Sequence, residues 1–150
     1  AIETSGVQLL WQCGKFYYDK YKDVAEHSSL IQCRMFIDRM DYAYAAADVV
    51  ISRGGALSIA ELQIVGKPCV LVPSPNVTDD QQTKNVMALQ NKHAAIYVND
   101  KEVKTQLFDT VFHLLSNEEK KAELSKNLSA LAITNADERI VDEIYKCIKR

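Results

Sequence analysis

Proline and glycine are scarce in this sequence, with 3 and 5 occurrences in 150 residues. That excludes collagen-like and low-complexity chains. No apolar run approaches the ~18 residues that a membrane-spanning helix needs, and no stretch has the order of a secretory signal. Neither sign of charge dominates: 18 Lys+Arg stand against 20 Asp+Glu, a net charge of −2. The chain therefore carries no general basic field for nucleic acid or an anionic membrane. Its four cysteines, Cys13, Cys33, Cys69 and Cys147, form no CxxC and no metal-ligand spacing, so buried free thiols are expected. Neither a GxGxxG fingerprint nor a GxxxxGK[ST] phosphate loop occurs, which disfavours nicotinamide cofactors and P-loop hydrolysis. Ser/His/Asp and Cys/His sets are absent too, as is a carboxylate pair with acid/base spacing.

What remains is ordinary globular material, 47% hydrophobic and 25% charged. A chain of this length reads as one domain, able to bury about 70% of its unfolded surface. Residues 41–100 carry only 4 basic and 6 acidic groups. An anionic ligand there would depend on backbone N–H groups and a few placed side chains. The chain opens at Ala1, and Ala1–Gly6 reads as the tail of a helix, so a fragment is expected.

Strand and helix patterns alternate from end to end. Strands are predicted at Val7–Cys13, Ile31–Phe36, Asp48–Ser52, Cys69–Val72 and Ala95–Val98. Between them lie helical patterns at Lys15–His27, Asp38–Ala47, Leu57–Val65 and Asp79–His93, with helix again from about Val103. Gly66 sits where a left-handed helix-ending residue belongs. Strands apolar on both faces, alternating with helices, specify a parallel sheet covered on both sides. The expected fold class is α/β, a doubly wound, Rossmann-like parallel sheet, and nothing in the pattern divides the chain. Ligands of such sheets bind beyond the carboxyl ends of the strands, where the loops after Phe36, Ser52 and Val72 open.

The strongest local feature is Ser52-Arg53-Gly54-Gly55-Ala56-Leu57-Ser58-Ile59-Ala60-Glu61. A buried strand ends, two glycines permit a tight turn, and a helix begins at once. The N–H groups of Ala56, Leu57 and Ser58, with the Ser58 hydroxyl and the helix dipole, make a place for a diphosphate. Glu61, one turn further on, suits two vicinal ribose hydroxyls. The same residues also fit a plain β–α turn with an acid near the helix start. Arg53 fits either a phosphate contact or a structural ion pair. In Thr78-Asp79-Asp80-Gln81-Gln82-Thr83-Lys84-Asn85, the amides of Gln81, Gln82 and Asn85 can share a helix face and meet sugar hydroxyls. Thr78-x-x-Gln81 also has capping-box spacing, which would make Gln81 structural. Phe36-Ile37-Asp38 could offer backbone groups to a base edge. His27 and His93 fall near helix C-termini and His113 inside an apolar helix, none with a catalytic partner.

Taken together, Ala47–Glu61, Gly66-Lys67-Pro68, Val72-Pro73 and Asp80-Gln81-Gln82-x-x-Asn85 resemble the MurG family, the N-acetylglucosaminyltransferases of bacterial peptidoglycan synthesis. The likeness runs from Trp11-Gln12-Cys13-Gly14-Lys15 through Phe36-Ile37-Asp38 to the C-terminal helices. The resemblance implies the C-terminal, donor-binding half of a two-domain GT-B glycosyltransferase, with UDP-N-acetylglucosamine (UDP-GlcNAc) as donor. It implies that Ile37 holds the uracil through its backbone. Gly55, Ala56, Leu57 and Ser58 would hold the diphosphate with Arg53 nearby, and Glu61 the ribose. Gln81, Gln82 and Asn85 would meet the sugar, although many relatives carry His-Gln where this chain has Gln81-Gln82. The family pattern also includes an acceptor domain, a first strand and a glycine-rich loop that do not appear in residues 1–150. No catalytic residue is therefore expected in this segment, which would be inactive alone. The lipid-linked acceptor and peripheral association with the cytoplasmic face of the inner membrane would belong to that other domain. No Asp-x-Asp metal motif appears, in keeping with a transferase that needs neither metal nor cofactor. Two alternatives share the architecture: a non-hydrolysing UDP-GlcNAc epimerase, disfavoured by the Gln81-Gln82-x-x-Asn85 segment, and a separately encoded donor-binding subunit docking on a membrane partner.

Overall fold

The computed structural model describes residues 2–75 and 80–148. The chain forms two compact units that meet in sequence at Ala47 and Asp48, where the composition predicts no division. The hydrogen-bonded ladders fall into two sets, one in each unit.

The first unit contains α1 (Ile2–Ser5), β1 (Leu9–Gln12), α2 (Lys15–Glu26), β2 (Ile31–Arg34) and α3 (Met40–Ala46). β1 and β2 are parallel, with Leu9 opposite Ile31 and Gln12 opposite Arg34. A parallel pair needs a crossover, and α2 supplies it. Gly14 turns the chain into that helix at φ +79°, a conformation that costs glycine nothing. The helix covers the sheet through Trp11, whose ring centre lies 5.0 Å from that of Tyr21.

The second unit contains β3 (Val50–Ser52), α4 (Ala56–Val65), β4 (Cys69–Leu71), α5 (Gln81–Gln90) and β5 (Ile96–Tyr97). A 3-10 turn (Asp100–Glu102) follows, then α6 (Val103–Leu115), α7 (Glu118–Ser129) and α8 (Ala136–Ile148). The sheet order is β3-β4-β5, all parallel. β4 is the middle strand, and Cys69, Val70 and Leu71 are wholly buried, as an uninterrupted apolar run on a two-sided sheet requires. Val70, Val72 and Val98 pack with Val111 and Leu114 of α6 and Leu124 of α7 in one core cluster.

The helix ends follow backbone rules. Gly66 closes α4 at φ +64° with its N–H donating to the Leu62 carbonyl, as its position in the sequence predicts. Its own carbonyl accepts from Ser125 Oγ, which ties α4 to α7. α5 stops at Gln90, short of the predicted His93. His93 takes the left-handed role at φ +52°, and the Ala94 N–H reaches back to the Leu89 carbonyl at 3.0 Å. That pairing is a Schellman closure, and it carries Ala94 and Ala95 into the core. α3 likewise begins at Met40, two residues later than predicted. The predicted helix start at Asp79 and the capping role of Thr78 lie outside the described residues.

All four cysteines are free, but only Cys33 and Cys69 are buried. Cys13 is half-buried, and Cys147 is exposed because α8 buries none of its residues. Burial pushes the Cys69 thiol up to about 12. At pH 8 on the order of one Cys69 in ten thousand is then thiolate, the reactive form. Cys69 of the native protein should accordingly resist a thiol reagent such as Ellman's at pH 8 and react only on unfolding in urea. Mass spectrometry of labelled peptides checks this, and rapid native labelling of Cys69 would refute the burial of β4.

Candidate functional site

The site is built where β3 gives way to α4. Gly55 is the N-cap of α4, extended at φ −68°, ψ 143°, and no side chain caps the helix. Its carbonyl accepts the Ile59 N–H at 2.9 Å. The N–H groups of Ala56, Leu57 and Ser58 therefore stand at the open end of a ten-residue helix, where no carbonyl one turn back exists to receive them. Their common direction and the helix dipole favour an anion. A Cβ built on Gly55 would lie 3.8 Å from Ser58 Oγ, so that hydroxyl faces the same end. Leu57 is 83% exposed, which leaves the approach open. Glu61 lies one turn along α4 on an exposed stretch.

Arg53 precedes the glycines. Its Nη1 donates to the Val72 carbonyl at 3.3 Å and to Asp100 Oδ1 at 2.5 Å. The guanidinium thus ties the end of β3 to the end of β4 and to the turn that follows β5. In this structure the ion-pair reading of Arg53 applies.

α5 meets the turn from the other side. Gln82 Oε1 accepts the Gly54 N–H at 3.2 Å and the Ser74 N–H at 2.9 Å. Asn85 Nδ2 donates to the Gly54 carbonyl at 3.2 Å, and Gln81 Nε2 donates to Asn85 Oδ1 at 3.0 Å. The three amides predicted to share a helix face do so, and two of them grip the backbone of Gly54. Gly54 itself is buried. A Cβ there would stand 2.5 Å from Val86 Cγ2 and 2.8 Å from the Gln82 backbone oxygen.

Ile37 belongs to the first unit. Its N–H donates to Gln12 Oε1 at 2.8 Å, so a base edge at this turn would meet the Ile37 carbonyl or replace Gln12. Among the described residues, no three His, Cys, Asp or Glu side chains gather as a metal site would. Sequence reasoning misses Gln12, Ser74 and Asp100. Asp100 lies 47 residues from Arg53, beyond any local pattern. The loop after β5 does open at the carboxyl edge of the sheet, the one general signal for it.

The family pattern described as the glycosyltransferase family 28 C-terminal domain matches residues 1–143. The chain belongs to that family. Among curated proteins it is 49% identical over 147 residues to a Flavobacterium psychrophilum enzyme, covering 97% of this chain and 40% of that protein. A Cytophaga hutchinsonii enzyme is 48% identical, with 98% and 39% covered. Both are named UDP-N-acetylglucosamine--N-acetylmuramyl-(pentapeptide) pyrophosphoryl-undecaprenol N-acetylglucosamine transferase. The crystal structure of Acinetobacter baumannii MurG matches with a TM-score of 0.80 at 30% identity, over 93% of this chain and 41% of that one. A kitacinnamycin glycosyltransferase, 20% identical with a TM-score of 0.62, shares the fold. The family 28 chain is thus a C-terminal GT-B domain, and it spans about 40% of the length of the curated relatives that it matches.

The space around Gly54 gives a direct test on the complete gene product. Gly54→Ala should cost about 1–3 kcal/mol of stability through overpacking. Gly55→Ala, where φ is negative and space is open, should cost under about 1 kcal/mol. Urea unfolding separates the two, and equal losses would contradict the close approach of α5.

Proposed function

We propose that this chain is the donor-binding part of an inverting glycosyltransferase, one that moves N-acetylglucosamine from UDP-GlcNAc to undecaprenyl-pyrophosphoryl-MurNAc-pentapeptide. The observation that carries the reading is the uncapped N-terminus of α4, set behind Gly54-Gly55 at the carboxyl edge of a parallel sheet. Relatives at 48–49% identity that bear the transferase name support it.

In this reading the diphosphate lies on the N–H groups of Ala56, Leu57 and Ser58, with Gly55 giving the backbone close approach. Glu61 accepts from the ribose hydroxyls. Gln81, Gln82 and Asn85 face the sugar. The acceptor hydroxyl gives its proton to a base in the acceptor part of the enzyme and attacks the anomeric carbon from the face opposite UDP, the C–O bond to the diphosphate breaks, UDP leaves, and the configuration inverts. Negative charge grows on the leaving diphosphate, where preoriented N–H groups stabilise it more in the transition state than in the ground state. Arg53, ion-paired with Asp100, holds the turn in place.

The acceptor site, and with it peripheral attachment to the cytoplasmic membrane face, belongs to the part of such an enzyme that residues 1–150 do not include. No helix among the described residues is long and apolar enough to cross a membrane. Two features favour additional strand pairing by that part. Among the described residues β1 and β3 each have one neighbour, and Leu10 and Ile51 on them are 46% and 36% exposed. On α8, Ile140, Ile144 and Ile148 form an exposed apolar stripe at four-residue spacing, a second surface suited to the rest of the enzyme.

Expression of the complete gene product and a transfer assay with labelled UDP-GlcNAc and a lipid-linked acceptor test the reading. Transfer is expected, and Glu61→Ala should raise the donor KM by about ten- to a hundredfold, since hydrogen bonds to a charged group contribute about 1.5–3 kcal/mol. Release of a 2-epimerised sugar without transfer, or an unchanged KM in Glu61→Ala, would count against it.

A further inference from the structure

The hydrogen bonds of α5 give Gln82 and Asn85 a task that sugar contact alone does not explain. Gln82 directs its carbonyl oxygen at two backbone N–H groups, Gly54 at the start of the turn and Ser74 just beyond β4. Asn85 donates to the carbonyl of the same Gly54. One residue of the turn is therefore held at both its donor and its acceptor by two side chains one turn apart on a helix. Gln81 fixes the orientation of the Asn85 amide by donating to its oxygen. The arrangement allows no choice of amide orientation: Gln82 must present oxygen and Asn85 nitrogen, because their backbone partners donate and accept respectively. Gly54 is buried and so close to α5 that a Cβ would collide with Val86 and with the Gln82 backbone. The clasp thus acts where the backbone has no slack. The next residue, Gly55, is the N-cap of α4.

We propose that Gln82 and Asn85 are positioning residues that clasp Gly54 and thereby fix the direction in which the N-terminal N–H groups of α4 point at a diphosphate. This rests on the donor-binding reading above and deepens it, because one pair of amides then serves both halves of the donor. The oxygen of Gln82 is committed to the backbone and only its NH2 is left for a ligand. The ligand atom opposite it must consequently be an acceptor, such as a hydroxyl, acetamido or phosphate oxygen.

The test uses the complete gene product with Gln82→Met, which keeps the length of the side chain and removes both the acceptor and the NH2, and with Gln82→Glu, which keeps the acceptor and removes the NH2. Calorimetric titrations compare UDP, which lacks the sugar, with UDP-GlcNAc. The clasp predicts that Gln82→Met weakens UDP itself about tenfold, and UDP-GlcNAc at least as much. It also predicts that backbone hydrogen exchange at Gly54 and Ser74 in the ligand-free protein accelerates in Gln82→Met and is restored in Gln82→Glu. A residue that only touches sugar would leave UDP affinity unchanged and weaken UDP-GlcNAc alone, with exchange unaltered, and that result would overturn the proposal. If the wild-type protein bound neither ligand, the donor-binding reading would fall. The exchange measurement would still decide the clasp, since unchanged protection in Gln82→Met refutes it and lost protection upholds it.

Discussion

Val86 Cγ2 and the backbone oxygen of Gln82 stand 2.5 and 2.8 Å from the place a Cβ on residue 54 would occupy, so β3 can end against α5 only as glycine. That steric limit organises the second unit. It brings the α5 amides within hydrogen-bonding distance of the turn, places Gly55 at the N-cap, and sends α4 away from the sheet with no side-chain cap among the described residues. Arg53, one residue earlier, secures the same turn through the Val72 carbonyl and Asp100. The anion-binding character of the helix end therefore depends on backbone geometry set by three neighbours. Net charge contributes little, which agrees with a middle region of 4 basic and 6 acidic groups.

The elements nearest this turn were the most legible from sequence, for physical reasons. A strand apolar on both faces, two glycines and a short helix closed by Gly66 leave few alternatives, and α4 ends at that glycine as expected. The amide face Gln81, Gln82 and Asn85 was legible as a face, because helical spacing fixes it. The partners of those amides were not, since Gly54 lies 31 residues from Asn85 and 28 from Gln82. The contacts of Asp100 with Arg53 and of Gln12 with Ile37 were not legible for the same reason: each meets its partner only after the strands have paired. The end of α5 departs from the pattern because a non-glycine residue takes a left-handed conformation. His93 does so beyond α5 and turns the chain inward earlier than the pattern predicts.

The division into two units, with parallel ladders β1-β2 and β3-β4-β5, was not legible at all. Apolar strand patterns state that a sheet is covered on both faces, but they do not state which strands are neighbours. Among the described residues, Leu10 and Ile51 on the edge strands β1 and β3 and the apolar stripe of α8 are exposed, and apolar surface of this kind suits burial against further chain. They accord with a chain spanning about 40% of the length of its curated relatives. The activity proposed for the whole enzyme thus rests on the donor site proposed in this segment and on an acceptor site proposed elsewhere.

Backbone amide NMR of the complete gene product during titration with UDP-GlcNAc tests the central claim most directly. Hydrogen bonds from the N–H groups of Ala56, Leu57 and Ser58 to the diphosphate should move those three resonances downfield and saturate with the ligand. If UDP-GlcNAc bound while all three stayed in place, the diphosphate would lie elsewhere and the account of α4 would be wrong.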